Sequence, residues 1–193
     1  MKYQSLHTLH TYWHDKNTCP LKATATQPVY GDGREHSDIV FIGEAPGKDE
    51  DISGKPFVGR AGKFLNELLG EIKLDRSQVY ITNTVKYRPP NNRDPLPEEK
   101  DACKKWLYEE LQFIKPKLIV FLGRHSMNTF FPEEKISAVH GKLLHKKYVG
   151  FDTEYFLPLY HPAAALYNGS MKETLIEDFK KIPKILKKIA KEN

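Results

Sequence analysis

The sequence has few cysteines and no long apolar run, and these two shortages exclude several classes of protein. Only Cys19 and Cys103 occur among 193 residues, too few for a disulfide framework or a four-cysteine metal site. No stretch approaches the roughly 20 apolar residues that a membrane helix needs. The segment Met1–Asp15 also lacks the apolar core of a signal peptide. We therefore expect a cytoplasmic protein that makes no membrane contact.

The composition favours a folded chain with a mild basic excess. Hydrophobic residues make up 39% and charged residues 28% of the sequence, which is typical of a globular chain, and we expect one domain over residues 1–193. Thirty Lys and Arg against 25 Asp and Glu give a net charge of +5, which leans towards a polyanionic partner. The lysine-rich segment 180–191 is expected to be a solvated face.

Four short apolar runs predict buried strands, and helical patterns lie between them. The runs are Asp38–Ile42, Val79–Thr82, Leu118–Leu122 and Tyr155–Leu159. The helical patterns cover Ala61–Ile72, Pro97–Ile114, a segment after Gly123, and Glu173–Ala190 with a kink expected at Pro183. Strands that alternate with helices predict an α/β fold with a parallel sheet and right-handed crossovers.

Polar side chains follow the carboxyl ends of these strands. Glu44 follows the first strand, Asn83 the second and His161 the fourth, while Gly123-Arg124 follows the third. Because ligands bind beyond the carboxyl ends of parallel strands, we expect the three side chains to converge on one pocket. Each alone also has a structural interpretation: a surface carboxylate, a turn asparagine and a structural histidine. Together they supply an acid–base group, an amide that reads an imide edge, and an imidazole.

The glycine-containing loop Gly43–Gly47 does not match a nucleotide-binding loop. Three residues rather than four separate its glycines, and acidic residues follow Lys48 where Ser or Thr is needed. These acids would repel a triphosphate, so nucleotide hydrolysis is disfavoured.

Basic and aromatic residues in loops at the same edge suit a nucleic-acid strand. They are Phe57, Arg60, Lys86, Tyr87, Arg88 and Arg93. Taken singly, each of the basic residues has the ordinary interpretation of a solvated charge.

Three histidines near the start of the chain, His7, His10 and His14, have a spacing that permits metal binding from one helical face. No carboxylate or cysteine at similar spacing completes a ligand set, so a solvated N-terminal helix is favoured.

Five ordered motifs resemble those of the family four uracil-DNA glycosylases. The motifs are Gly43–Gly47, Pro56–Gly62, Ile81–Asn83, Val85–Arg93 and His161–Ala164. The resemblance runs from about Lys16 to Leu166. It implies a three-layer α/β/α fold around a central four-stranded parallel sheet. It also implies base excision repair, in which a monofunctional enzyme without lyase activity hydrolyses the bond between uracil and deoxyribose in DNA after flipping the base out of the stack.

The resemblance also implies roles for individual residues. Phe57 would stack on the flipped uracil, and Asn83 would bind its Watson–Crick edge. His161 would donate a hydrogen bond to the uracil oxygen that gains charge, and Glu44 would orient the attacking water. Backbone groups of Glu44 and Ala45 would touch the base, and Glu50 or Asp51 would crowd uracil C5 and exclude thymine. The expected DNA contacts are Arg60, Lys86, Arg88 and Tyr167.

One departure from the family concerns its [4Fe–4S] cluster, which typical members hold with four cysteines. Cys19 and Cys103 match two of those positions, whereas Lys16 and Tyr87 occupy the other two. Two thiolates cannot hold such a cluster, so we predict no cluster and no other cofactor or metal. Lys16 and Tyr87 would fill the space, and Cys19 and Cys103 would be neighbours able to form a disulfide under oxidation.

Two other functions remain open at this point. Loss of cluster ligands is compatible with a non-catalytic, glycosylase-like DNA-binding module, although such a module has no need of Glu44, Phe57, Asn83 and His161 together. A glycosylase for another deaminated base would keep the same pocket, because a carboxamide can rotate to present either face. The expected partner is uracil-containing DNA, single- or double-stranded, bound by a monomer.

Overall fold

The computed structural model describes residues 3–192 and contains a six-stranded sheet. The strands are β1 (Asp32–Gly33), β2 (Ile39–Gly43), β3 (Tyr80–Asn83), β4 (Leu118–Leu122), β5 (Leu144–His145) and β6 (Tyr155–Leu159). Their order is β1-β3-β2-β4-β6-β5, in which the four inner strands are parallel and the two edge strands antiparallel. The parallel core is confirmed. The edge strands were missed because two residues carry no apolar alternation.

Nine helices occur within the described residues. They are α1 (Leu6–Lys16), α2 (Lys48–Ser53), α3 (Arg60–Glu71), α4 (Pro97–Ile114), α5 (Arg124–Phe130), α6 (Ile136–Val139), α7 (Pro162–Ala165), α8 (Gly169–Phe179) and α9 (Ile182–Glu192). The predicted kinked helix over Glu173–Ala190 is two helices, α8 and α9. Pro183 lacks an N–H and its ring opposes the carbonyl four residues earlier, so it fits the first turn of α9 but not the interior of one helix. No helix between residues 3 and 192 is long and apolar enough to cross a membrane.

Helices cover both faces of the sheet, which gives three layers. Helices α3, α8 and α9 contribute to the core on one face, and α1, α4 and α5 to the core on the other. Successive residues of each strand feed opposite cores: Phe41 points to the first and Val40 to the second, and both are fully buried. Burial on both faces explains why the strands are continuous apolar runs.

A buried polar network lies behind β3 and corrects two predictions. The Lys86 ammonium is 2.7 Å from Glu110 Oε2 and also donates to Thr82, and His10 Nε2 is 3.1 Å from Glu110 Oε1. Burial would raise the pKa of Glu110, but Lys86 and His10 outweigh it and hold that pKa well below its usual range. Lys86, only 2% exposed, is therefore not a DNA contact, and His10 binds this network rather than solvent.

Candidate active site

A cavity of about 330 Å³ opens at the carboxyl ends of the parallel strands. It brings together all six residues predicted from the sequence to be catalytic or to bind the substrate. They are Glu44, Ala45, Glu50, Phe57, Asn83 and His161. The rest of its wall includes Pro89, Asn92, Arg93 and Asp94, from the loop that precedes α4.

Asn83 ends β3, and its carboxamide is buried against the cavity. The residue is 2% exposed, and its Oδ1 has no hydrogen-bond partner among residues 3–192. A buried carbonyl oxygen without a partner is costly, and a ligand that donates to it removes that cost. Asn83 pairs in register with Gly43 of β2. A Cβ at Gly43 would lie 2.6 Å from Phe57 Cζ and would also clash with Asn83 Oδ1, so glycine is required here.

Phe57 presents its ring to the same cavity from a constrained backbone. Its φ of 52° lies in the left-handed region, which is unusual for a bulky residue. Arg76 holds this conformation, because its guanidinium donates to the carbonyl oxygens of Pro56 and Phe57. The ring of Phe57 stacks on that of His161, with centroids 5.7 Å apart. Phe57 is therefore a fixed aromatic platform.

His161 is held as a neutral imidazole with a defined tautomer. It follows β6 and caps α7, where its Nδ1 accepts a hydrogen bond from the Ala163 N–H at 3.1 Å. The proton of the neutral ring is therefore on Nε2. Burial, with a smaller contribution from nearby His125, lowers the pKa of His161 to about 4. At neutral pH the residue is a hydrogen-bond donor without charge.

Glu44 is a carboxylate poised to titrate near neutrality. Its backbone carbonyl accepts from the Val85 N–H and the Thr84 hydroxyl, which fixes the loop after β2. Its side-chain Oε1 is buried and has no hydrogen bond within the described chain. Burial, together with the charge of Asp94, raises the pKa of Glu44 to about 7, whereas Lys100 and Arg124 act in the opposite direction.

The two acids proposed to exclude thymine differ in position. Asp51 turns away from the cavity and accepts hydrogen bonds from the N–H and hydroxyl of Thr26, so the alternative assignment to Asp51 is wrong. Glu50 lines the cavity. Its carboxylate also accepts from the N–H groups of Gly47, Val58 and Gly59, and so ties the Glu44 loop to the Phe57 loop.

The remaining predicted DNA contacts are at the surface. Arg60 is exposed at the start of α3, and its guanidinium lies 5.6 Å from the ring centroid of Tyr167, a residue that is 81% exposed. Arg88 is partly exposed and donates to Asn92, which lines the cavity. These three residues remain available to a nucleic acid, unlike Lys86.

The two cysteines lie in a small buried cluster with aromatic side chains. Cys19 and Cys103 are buried and free, and a mutual hydrogen bond together with burial raises the pKa of the Cys103 thiol. The rings of Trp13 and Tyr87 stack beside them, with centroids 5.4 Å apart in the same buried cluster. Tyr87 therefore packs in the same cluster as the two thiols. Lys16 does not, because it is exposed at the end of α1.

The sequence did not indicate three residues at the site. His125 contacts Glu44, Arg76 contacts Phe57, and Asp94 lines the cavity next to His125. Of these three, His125 could have been found from the sequence, because it directly follows Gly123-Arg124 at the carboxyl end of the third predicted strand. Nothing in the local sequence marks Arg76, which reaches Phe57 from a distant turn.

Comparisons with known proteins agree with this geometry. The model of the uracil DNA glycosylase superfamily matches residues 30–187. A type-4 uracil-DNA glycosylase of Archaeoglobus fulgidus is 48% identical over 169 residues, which cover 85% of this chain and 84% of the relative. A type-4 uracil-DNA glycosylase of Sulfurisphaera tokodaii is 48% identical, over 85% of this chain and 77% of the relative. A third, from Thermotoga maritima, is 41% identical over 88% of both chains. This chain therefore belongs to the uracil DNA glycosylase superfamily.

Proposed function

We propose that this chain is a uracil-DNA glycosylase, which hydrolyses the N-glycosidic bond of deoxyuridine in DNA and leaves free uracil and an abasic site. The observation that carries the proposal is the buried Asn83 carboxamide. Its oxygen has no hydrogen-bond partner between residues 3 and 192 and faces a cavity shared with Phe57, Glu44 and His161. A binding module has no use for a buried, unsatisfied amide beside a carboxylate and a neutral imidazole.

Recognition begins when the nucleotide leaves the base stack, because its glycosidic bond is inaccessible inside a duplex. Asn83 Oδ1 accepts from uracil N3–H, and its amide N–H donates to a neighbouring carbonyl oxygen of the base. The ring of Phe57 stacks on the base. The fixed backbone of Phe57 makes this platform rigid before the substrate arrives.

Bond cleavage places negative charge on uracil and positive charge on the sugar. The electron pair of the C1′–N1 bond leaves with the base, and the Nε2–H of His161 stabilises the charge that develops on a uracil oxygen. The Glu44 carboxylate stabilises the cationic sugar and orients a water molecule. The oxygen of that water bonds to C1′, and its proton is released to Glu44 or solvent.

The donor set does not fit the iron–sulfur cluster of the family, and we propose that the protein works without one. Two thiols remain, and aromatic rings pack beside them, whereas such a cluster needs four protein ligands. Purified protein is expected to lack the broad visible absorbance of a cluster and to contain no stoichiometric iron. About four iron atoms per chain, after anaerobic purification, would contradict this.

The DNA is expected to lie across the surface that carries Arg60, Arg88 and Tyr167. Phosphate contacts from the two arginines would position the strand, and Tyr167 would stack on a base near the vacated site. A monomer suffices for this chemistry, and the mechanism accommodates a single or a double strand.

The deciding experiment measures excision from an oligonucleotide with one deoxyuridine, single-stranded and then paired with G or A. We expect alkali-labile abasic sites with wild type. His161→Ala is expected to lose about 10² or more in rate, as when an oxyanion donor is removed, and Glu44→Ala should also be severely impaired. Glu71→Gln, at an exposed position of α3, is the matched control and should keep full activity.

Two outcomes would overturn the assignment. Excision of hypoxanthine or xanthine but not uracil would identify an altered-base glycosylase with the same pocket. DNA binding without excision of any base would identify a glycosylase-like binding module.

A further inference from the structure

His125 lies between two carboxylates beside the cavity and has no part in the mechanism described so far. It is the second residue of α5 and follows β4. Its Nδ1 is 3.3 Å from Glu44 Oε1, and its Nε2 is 3.4 Å from Asp94 Oδ2. The imidazole thus contacts the carboxylate that the reaction requires.

Arg124 determines which ring nitrogen of His125 carries the proton. The Arg124 Nε–H donates to His125 Nε2 at 3.0 Å, so Nε2 is an acceptor. In the neutral ring the proton is then on Nδ1, the nitrogen that faces Glu44. Burial lowers the pKa of His125, which keeps the ring neutral under ordinary conditions.

The side-chain oxygen of Glu44 that faces His125 lacks a hydrogen-bond donor. Its buried Oε1 has no hydrogen bond of acceptable geometry in residues 3–192, although His125 Nδ1 is 3.3 Å away and Lys100 Nζ 3.9 Å away. A hydrogen bond requires one of the two side chains to rotate so that the Nδ1–H points at Oε1. A histidine with this tautomer would then supply the donor that Oε1 lacks among residues 3–192.

We propose that His125 is a positioning residue for Glu44, in which the Nδ1–H holds Oε1 so that the second oxygen is aimed at the attacking water. This inference rests on the proposed function, since it assigns His125 a role only if Glu44 orients the attacking water. It is the arrangement by which a second group orients a catalytic one in hydrolytic sites.

The same three side chains, Glu44, Asp94 and His125, also have the composition of a cation site. Two observations favour positioning instead. Both ring nitrogens already face protein groups, and two cations, Lys100 and Arg124, lie against the cluster. A bound metal would have to displace these contacts and overcome that repulsion.

The charged and titratable groups around the pair come from several elements. Asp94 approaches from the loop before α4, Lys100 from α4, and Arg124 from α5. His125 in turn lowers the pKa of His161. Because a His125 variant retains the charges of Asp94, Lys100 and Arg124, a change in the titration of Glu44 reports the loss of the imidazole.

The test compares His125→Ala with two amide variants. The side-chain amide of His125→Asn places an N–H near the position of Nδ1, whereas that of His125→Gln places it near Nε2 and is the matched control. In single-turnover excision of deoxyuridine, we expect the Ala and Gln variants to lose between about 10- and 100-fold in rate. DNA affinity should stay within about twofold of wild type, and the Asn variant should recover much of the rate.

The pH profile separates positioning from a structural role. Loss of a donor to the charged carboxylate raises the pKa of Glu44, so the acid limb of the rate profile should move to higher pH in His125→Ala and return in His125→Asn. Equal losses in the Ala and Asn variants with an unmoved acid limb would overturn the proposal. So would activity that EDTA abolishes and Zn²⁺ restores in wild type only, which would identify a cation site.

Carboxyl titration by ¹³C NMR tests the pair without reference to activity. The Glu44 resonance, assigned with Glu44→Gln, should titrate at higher pH in His125→Ala than in wild type. An inert wild type would defeat the proposed function, yet this shift would still report the contact. An unchanged Glu44 titration would overturn the inference, even in an active enzyme.

Discussion

At the scale of single residues, burial in the cavity shifts the pKa values of Glu44 and His161 in opposite directions. Burial with Asp94 raises the pKa of Glu44 to about 7, and burial lowers that of His161 to about 4. Above neutrality the site therefore holds a charged carboxylate and an uncharged imidazole. This is the combination that the mechanism needs, since the sugar becomes cationic while the base becomes anionic.

The raised pKa of Glu44 predicts that this residue destabilises the fold at alkaline pH. Between its ordinary pKa near 4.5 and the folded value of about 7, the folded state binds more protons than the unfolded state. Stability therefore falls as pH rises through this window. We expect Glu44→Gln to melt at a higher temperature than wild type at pH 8.5, with the difference shrinking towards pH 4, while excision is lost. If Glu44→Gln and wild type had the same Tm at pH 8.5 as well as at pH 4, burial would not raise the pKa of Glu44.

Asn83 should determine which base is accepted. Asn83→Ala removes both the acceptor and the donor, and a site that loses this buried amide loses discrimination as well as rate. We expect kcat/KM on deoxyuridine to fall by about 10² or more. The measurement is excision kinetics with Gln112→Ala as control, since Gln112 carries an exposed side-chain amide on α4 that donates to Gly150 and lies outside the cavity. An unchanged rate in Asn83→Ala would remove Asn83 from the recognition site.

At the scale of elements, two long-range contacts hold the loops that shape the site. Glu50 in α2 accepts from the N–H groups of Val58 and Gly59 as well as that of Gly47. Arg76 holds the carbonyls of Pro56 and Phe57. The Phe57 loop is thus held from both sides by charge-assisted hydrogen bonds, the strong class of such bonds. This explains how a strained φ at Phe57 persists.

Variants of Glu50 distinguish two roles. As a tie, Glu50 holds the Glu44 and Phe57 loops together by hydrogen bonds; as a guard, it excludes the methyl group of thymine from the space at uracil C5. Glu50→Gln retains the volume, but its single carbonyl oxygen can accept from Val58 and Gly59 or from Gly47, not from both sides. At least one of the three hydrogen bonds is therefore lost, and those that remain are uncharged. If Glu50 acts as the tie, Gln and Ala variants should both excise uracil more slowly, and neither should act on thymine. If it acts as the guard, Glu50→Ala should gain measurable thymine excision. Asp49→Asn is the control, because Asp49 lies beside Glu50 without lining the cavity.

Strand placement shows why part of the site was predictable. Glu44, Asn83 and His161 each lie at the end of a strand or within two residues of it. The rule that parallel strands share a carboxyl edge was therefore enough to bring them together. Beyond Asn83 the chain leaves the sheet, and no periodicity indicates which way a side chain points. Lys86 and Arg88 look alike in sequence, yet Lys86 binds buried Glu110 while Arg88 remains partly exposed.

Contacts between distant segments could not be predicted from the sequence for a related reason. His125 meets Glu44 and Arg76 meets Phe57 across different elements, so no local spacing records either pair. Glu110 was hidden in the same way. In the sequence it is one polar residue of α4, whereas in the structure it binds Tyr80, Lys86 and His10. Cooperation of this kind depends on packing rather than on pattern.

At the scale of the whole molecule, two groups of cations are candidates for the surface that binds DNA. One comprises Arg60 and Arg88 near the cavity. The other is the lysine face of α9, which surrounds Leu143 and Ile185 and includes Lys184, Lys187 and Lys191. Truncation of α9 cannot test this, because Ile182 and Ile189 are buried in the core. Single charge removal leaves that core intact.

Salt dependence of DNA affinity separates the two groups. Each phosphate contact contributes about −0.9 to the slope of log K against log salt for duplex DNA and about −0.7 for a single strand. We expect Arg60→Gln and Arg88→Gln each to flatten the slope by about one contact, and Lys187→Gln, the matched control on α9, to leave it unchanged. The size of each step on single- and double-stranded oligonucleotides would then show whether the same arginines hold both substrates. A flatter slope for the Lys187 variant alone would instead move the path of the DNA to α9, because only ions released by that contact can change its salt dependence.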